Sequence, residues 1–146
     1  MSVSAKAIAA VLGGDKSLGR RVSTMRDLEA VVANGLPKSA LDTLVSGFGE
    51  HDPGRPANEM RYRIVPRATY KRVDRFNLQA SETIERLARL YAMALDAFVE
   101  PAAAARFMMT PHPELDGRSP FETALTELGG RSVEEVIERG LHGLPA

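Results

Sequence analysis

The chain contains no cysteine among its 146 residues, which excludes a disulfide scaffold and thiolate zinc sites and suits a reducing compartment. It also lacks any run of about 18 apolar residues, so no segment reads as a membrane span and no membrane partner is expected. The opening "MSVSAKAIAAVLGGDK" is too short in its apolar stretch and too rich in alanine for a secretory signal, and a cytoplasmic location is expected. Alternating apolar and polar residues are scarce: only "RYRIV" approaches a strand pattern, and it suits a helix equally well. Net charge is absent as well, with 19 basic and 19 acidic residues.

That zero conceals an asymmetry. Residues 1–80 carry 13 Lys and Arg against 8 Asp and Glu, whereas residues 81–146 carry 6 against 11. A basic half suits a polyanion and an acidic half a different partner, although a solvated surface accounts for such a shift too. Apolar residues make up 44% of the chain and charged residues 26%, as in folded domains.

Catalytic chemistry is equally sparse. "GGDKS" at 13–17 falls short of a phosphate-binding loop, because the glycine that must precede the lysine is Asp15 and the segment before it reads as helix. His51, His112 and His142 lie far apart, and only His112 has alternate carboxylates, Glu114 and Asp116, on what reads as turn chemistry. No strained strand-to-helix turn frames a serine nucleophile. The chain therefore reads as a non-enzyme without cofactor or metal.

What is present is helical punctuation, and the fold class is all-α. Ser4 can cap a helix over "SAKAIAAVL" that Gly13 and Gly14 end, followed by a linker "DKSLGRRV". Ser23 or Thr24 caps "MRDLEAVVA", which Asn34-Gly35 stops, and Pro37 opens "PKSALDTLVSGF" with Leu41, Leu44, Val45 and Phe48 on one face. After the turn-rich "GEHDPGRPAN" comes "EMRYRIV" and a short basic helix opening at Pro66. A long helix begins at Ser81, with Ile84, Leu87, Tyr91, Leu95 and Phe98 on one stripe. Pro101 opens "PAAAARFMM", which stops before Pro111, and Met108 and Met109 read as core rather than as an adaptable surface. Ser119 and Ser132 each stand three residues before a glutamate, predicting two capping boxes, with Gly129 and Gly140 as terminators.

In the basic helix, Arg67, Lys71 and Arg75 recur at i, i+4 and i+8, with Thr69 and Arg72 on adjoining faces. Donors so clustered suit phosphates and guanine edges, and they equally suit a solvated face paired with Asp74.

Residues 64–143 resemble the Xre/MbcA/ParS antitoxins. The resemblance rests on "TPHPELDGRSP" at 110–120 and "TELGGRSVEEVIERG" at 126–140, through Thr110, Pro111, Pro113, Leu115, Gly117, Arg118, Pro120, Thr126, Glu127, Gly129, Val133, Glu134 and Gly140. Phe107 stands where that family usually has tryptophan, and the first 60 residues match less well. The resemblance implies an antitoxin of a type II toxin-antitoxin operon that neutralises a RES-domain toxin acting on NAD and represses its own operon. The alternative is a free-standing helix-turn-helix regulator without a toxin. The implied organisation is an N-terminal segment (1–22), an Xre-like helix-turn-helix DNA-binding domain (23–80) and a small helical toxin-binding domain (81–146). Operator contacts then fall to Arg67, Thr69, Lys71, Arg72 and Arg75, and toxin contacts to Arg131, Glu135, Glu138, Arg139, Leu141, His142, Leu144 and Ala146, with residues 141–146 covering the toxin's NAD pocket. A homodimer, and a heterotetramer or larger assembly with toxin, are expected. The proline-rich loop is read as a brace that presets the C-terminal helices.

Overall fold

The computed structural model describes residues 3–49 and 57–141, apart from the side chain of Leu141. Within them lie ten helices: α1 (Ala5–Val11), α2 (Gly14–Leu18), α3 (Met25–Ala33), α4 (Lys38–Gly49), α5 (Ala57–Ile64), α6 (Arg67–Arg72), α7 (Leu78–Ala97), α8 (Pro101–Met109), α9 (Pro120–Thr123) and α10 (Glu127–Leu141), with one 3-10 turn at Pro113–Leu115. The described residues hold no strand, only an isolated antiparallel bridge between Pro37 and Arg75. The fold is all-α, as expected; most of the turn-rich segment before α5 and the tail beyond α10 fall outside the described residues.

α7 is the axis of the molecule because its stretch from Leu87 to Ala94 is buried nearly all round. Ile84, Leu87, Ala88, Leu90, Tyr91, Ala92, Met93 and Ala94 are all buried, so the apolar surface is not a stripe but a sleeve. The alanines let neighbours come close: α1, α3, α8 and α10 all pack on it. Phe48 of α4 stands between the halves, its ring 4.8 Å from Tyr91 and 6.0 Å from Phe121 at the head of α9. One apolar core therefore runs from Ile8 to Ile137.

Local signals are realised where backbone and side chain meet within one turn. Ser4 accepts from the Ala7 amide at 3.1 Å, and Thr24 and Asp27 complete a reciprocal capping box at α3. The Ser23 and Thr24 amides donate to the Asp27 carboxylate and hold its pKa below the ordinary value. Asn34 and Gly35, the latter at φ 90°, end α3; a Cβ on Gly35 would come within 2.7 Å of the Phe76 carbonyl oxygen.

Several expectations are corrected. The linker after Gly13 contains α2, pinned by Asp15, whose carboxylate accepts from the Val22 amide. Ser81 does not start the long helix: Asn77 caps it by accepting from the Ala80 amide at 2.9 Å, and Ser81 is buried inside, accepting from the Leu36 amide and donating to the Phe76 carbonyl. At α9, Ser119 accepts from the Glu122 amide, but Glu122 turns away to pair with Arg63 of α5. Ser132 caps nothing, since it lies within α10, and Gly129 and Gly140 are helical rather than left-handed terminators. Met108 and Met109 are core residues, as expected.

Candidate functional site

Two surfaces gather the residues singled out from the sequence. On the first, α5 and α6 are joined through Val65 and Pro66, and α6 buries none of its six residues. It is held by Tyr70, half-buried, whose hydroxyl donates to both carboxylate oxygens of Asp42 at 2.8 and 3.0 Å. Arg61 donates to the same carboxylate at 2.9 Å, its guanidinium 5.2 Å from the Tyr70 ring, and Lys38 covers that ring at 5.0 Å. Burial, then the Asp42 hydrogen bond, pushes the Tyr70 hydroxyl above its ordinary pKa. Nothing in the sequence singled out this anchor, because Asp42 lies 28 positions away.

With Tyr70 fixed, Arg67, Lys71 and Arg72 are left exposed and Thr69 half-buried. Among the described residues none of these three cations forms an ion pair, with Asp74 or any other acid. Arg75 does not share their face. α6 stops at Arg72, and Arg75 sits in an extended segment bridged to Pro37, its guanidinium donating to the Gly35 carbonyl at 2.9 Å. The expected i, i+4, i+8 row is thus two residues of helix plus a third cation held at the α3–α4 turn.

The second surface is built around the loop between α8 and α9. Pro111 follows Thr110, whose extended backbone ends α8. The His112 amide donates to the Arg118 carbonyl at 3.0 Å and the Gly117 amide returns to the His112 carbonyl at 3.1 Å, closing the loop on itself. Asp116 and Gly117 both take left-handed angles, φ 58° and 77°. His112 Nδ1 accepts from the Glu114 amide at 3.1 Å, Leu115 is buried, and Glu114 pairs with Arg139 of α10. The loop therefore ties α8 to α10 through a plug and an ion pair.

α10 is seated by close approach. A Cβ on Gly129 would lie 1.8 Å from the Thr123 carbonyl oxygen, and one on Gly130 would lie 2.7 Å from Arg86 Cδ. Arg86 donates to the Ala124 carbonyl at 3.1 Å and lies 3.5 Å from the Glu127 carboxylate. Val133, Val136 and Ile137 face inward. Of the expected toxin-contact residues, Arg131 and Glu135 are exposed, Glu138 is half-buried, and Arg139 is engaged with Glu114. The Leu141 side chain, His142, Leu144 and Ala146 lie outside the described residues.

No helix among the described residues is long and apolar enough to cross a membrane. No curated protein matches the chain. The end of α7, α8, the braced loop, α9 and α10 nonetheless coincide with one known unit: residues 93–143 match the family model described as the antitoxin Xre/MbcA/ParS C-terminal toxin-binding domain.

Proposed function

We propose that the chain is the antitoxin of a type II toxin-antitoxin pair that binds and neutralises a RES-domain toxin acting on NAD, and that it represses its own operon through α6. The family match over residues 93–143 carries the antitoxin reading. In this reading residues 81–146 hold the toxin, residues 23–80 bind the operator, residues 1–22 form an N-terminal segment before them, and α7 serves both halves. The RES identity of the toxin and the covering of its NAD pocket by residues 141–146 come from the family resemblance alone.

The DNA half rests on α6. Its three exposed cations and half-buried Thr69 project from a helix held at one side by Tyr70, a presentation that suits phosphate and base-edge contacts. Arg75, anchored on the Gly35 carbonyl, suits a backbone contact beside it. Replacing Arg67, Lys71 and Arg72 with alanine is expected to abolish most operator affinity and to reduce the slope of log K against log salt by roughly 0.9 for each phosphate no longer neutralised. A triple variant that shifts the promoter fragment as well as wild type overturns the assignment.

Coexpression with the product of the adjacent reading frame tests the toxin half. Copurification, arrest of NAD consumption by the full chain, and release of that arrest on truncation after Gly140 are the expected results. Light scattering of the pair should give a heterotetramer or larger, built on an antitoxin homodimer. A chain that binds DNA and leaves the adjacent product active would instead favour the free-standing regulator.

A further inference from the structure

A groove of about 560 Å³ opens where the end of α7, the outer side of α8, the 110–112 segment and the last turns of α10 meet. Every residue lining it falls within 93–143, the stretch that matches the toxin-binding domain. One wall is aromatic: the Phe107 ring lies 5.5 Å from Phe98 and 6.2 Å from His112. The buried Val136 and Ile137 also line it, as does Gly140. Apolar surface continues outward, since Phe98 is 36% exposed and the adjoining Val99 is 100% exposed. Exposed apolar residues gathered beside a concave apolar lining mark a contact surface rather than scattered surface hydrophobes.

Two polar side chains interrupt that lining. Arg106 is exposed, and among the described residues no carboxylate pairs with it. His112 uses Nδ1 to accept from the Glu114 amide, so the imidazole in that tautomer carries its proton on Nε2 and keeps a donor for another group. An apolar trough with a free guanidinium and an imidazole donor at its edge complements an apolar side chain next to a carboxylate. A hollow of about 720 Å³ between α1, α4 and α7 lacks this quality, because its one charged lining group, Asp42, is already engaged by Tyr70 and Arg61.

We propose that this groove is a docking site for the toxin, which inserts an apolar side chain against Phe98 and Phe107 and places a neighbouring carboxylate on Arg106. This rests on the antitoxin reading and adds to it a surface that the residues assigned from the sequence along α10 do not include. Arginine beside an aromatic pocket is the composition in which a few contacts carry most of an interface's affinity.

The test uses the full chain and the coexpressed product of the adjacent reading frame, with affinity read by calorimetry and mass by light scattering. Arg106→Glu keeps every hydrogen bond named above and should fold with wild-type helicity; Ala103→Leu narrows the groove without touching charge. Each is expected to weaken the complex by a factor of about 10 or more, the charge reversal more than the filling. Lys16→Glu, an equal change of charge on α2, should stay within a factor of about 2. If both groove variants bind as wild type does, the docking site is wrong while the antitoxin reading stands. If the wild-type chain does not bind the adjacent product, the antitoxin reading fails and takes the inference with it. Variants that alter the mass of the free antitoxin and leave toxin affinity unchanged would assign the groove to a second copy, which also overturns the proposal.

Discussion

Gly129 and Gly140 occupy the same helix and have opposite requirements. A methyl at Gly129 meets the Thr123 backbone, which no rotamer change can relieve, so Gly129→Ala is expected to destabilise the protein by about 1–3 kcal/mol or more through displacement of α10. At Gly140 nothing lies within 4 Å of the added carbon and the backbone is helical, so Gly140→Ala should be neutral or stabilise by up to about 1 kcal/mol. Thermal melts of the two variants separate the cases; equal destabilisation would refute the close-approach reading. Glu85 offers a second test at this scale. Burial raises its carboxyl pKa against the opposing pull of Arg89 and Arg86. The folded state therefore binds this proton more tightly than the unfolded chain does, and the group's contribution is fully present below the ordinary value of 4.5 and lost as pH rises through the folded value. Glu85→Gln should raise the denaturation midpoint at about pH 7 and change it little at about pH 4.

At the scale of elements, the loop between α8 and α9 works as a brace whose parts differ in weight. The buried Leu115 plugs the space under α10, and Leu115→Ala should cost about 2–5 kcal/mol. Glu114 and Arg139 are both over a third exposed, so Glu114→Gln should cost at most about 1 kcal/mol. If the loop presets α10, Leu115→Ala will also speed amide exchange in α10 more than in α3, which packs on α7 and α1. Uniform acceleration in both helices would reduce the loop to ordinary core closure. The prolines have a local role: they end α8 and stiffen the turn, while the closure itself comes from the His112–Arg118 and Gly117–His112 backbone bonds.

For the whole molecule, α7 and Phe48 decide cooperativity. α1 and α3 as well as α8 and α10 pack on α7, and Phe48 contacts both Tyr91 and Phe121, so neither half can open its core without exposing the other's. Phe48→Ala is expected to cost about 3–5 kcal/mol and to lower a single transition. Circular dichroism and the fluorescence of single tryptophans placed in α1 and α10 should report coincident melts. Two separated transitions would show that the halves unfold independently.

The sequence by itself determined the helical class, the positions of most helices, the residues on their inward faces and the resemblance of the C-terminal third to a toxin-binding domain. These depend on signals within one or two turns: apolar spacing, a serine or threonine beside an open amide, a proline that cannot continue a helix. Tertiary structure alone decided the rest. It buried Ser81 in the first turn of α7, where the hydroxyl accepts from the Leu36 amide, 45 positions away. It turned Gly129 from an expected terminator into a point of contact with Thr123, and moved Arg75 from a helical row to the α3–α4 turn. It exposed α6 by seating Tyr70 on Asp42, and assembled the apolar groove from the ends of α7, α8 and α10. Local free energies select helices, but which atoms meet across them depends on how the helices close on α7, and no spacing along the chain encodes that distance.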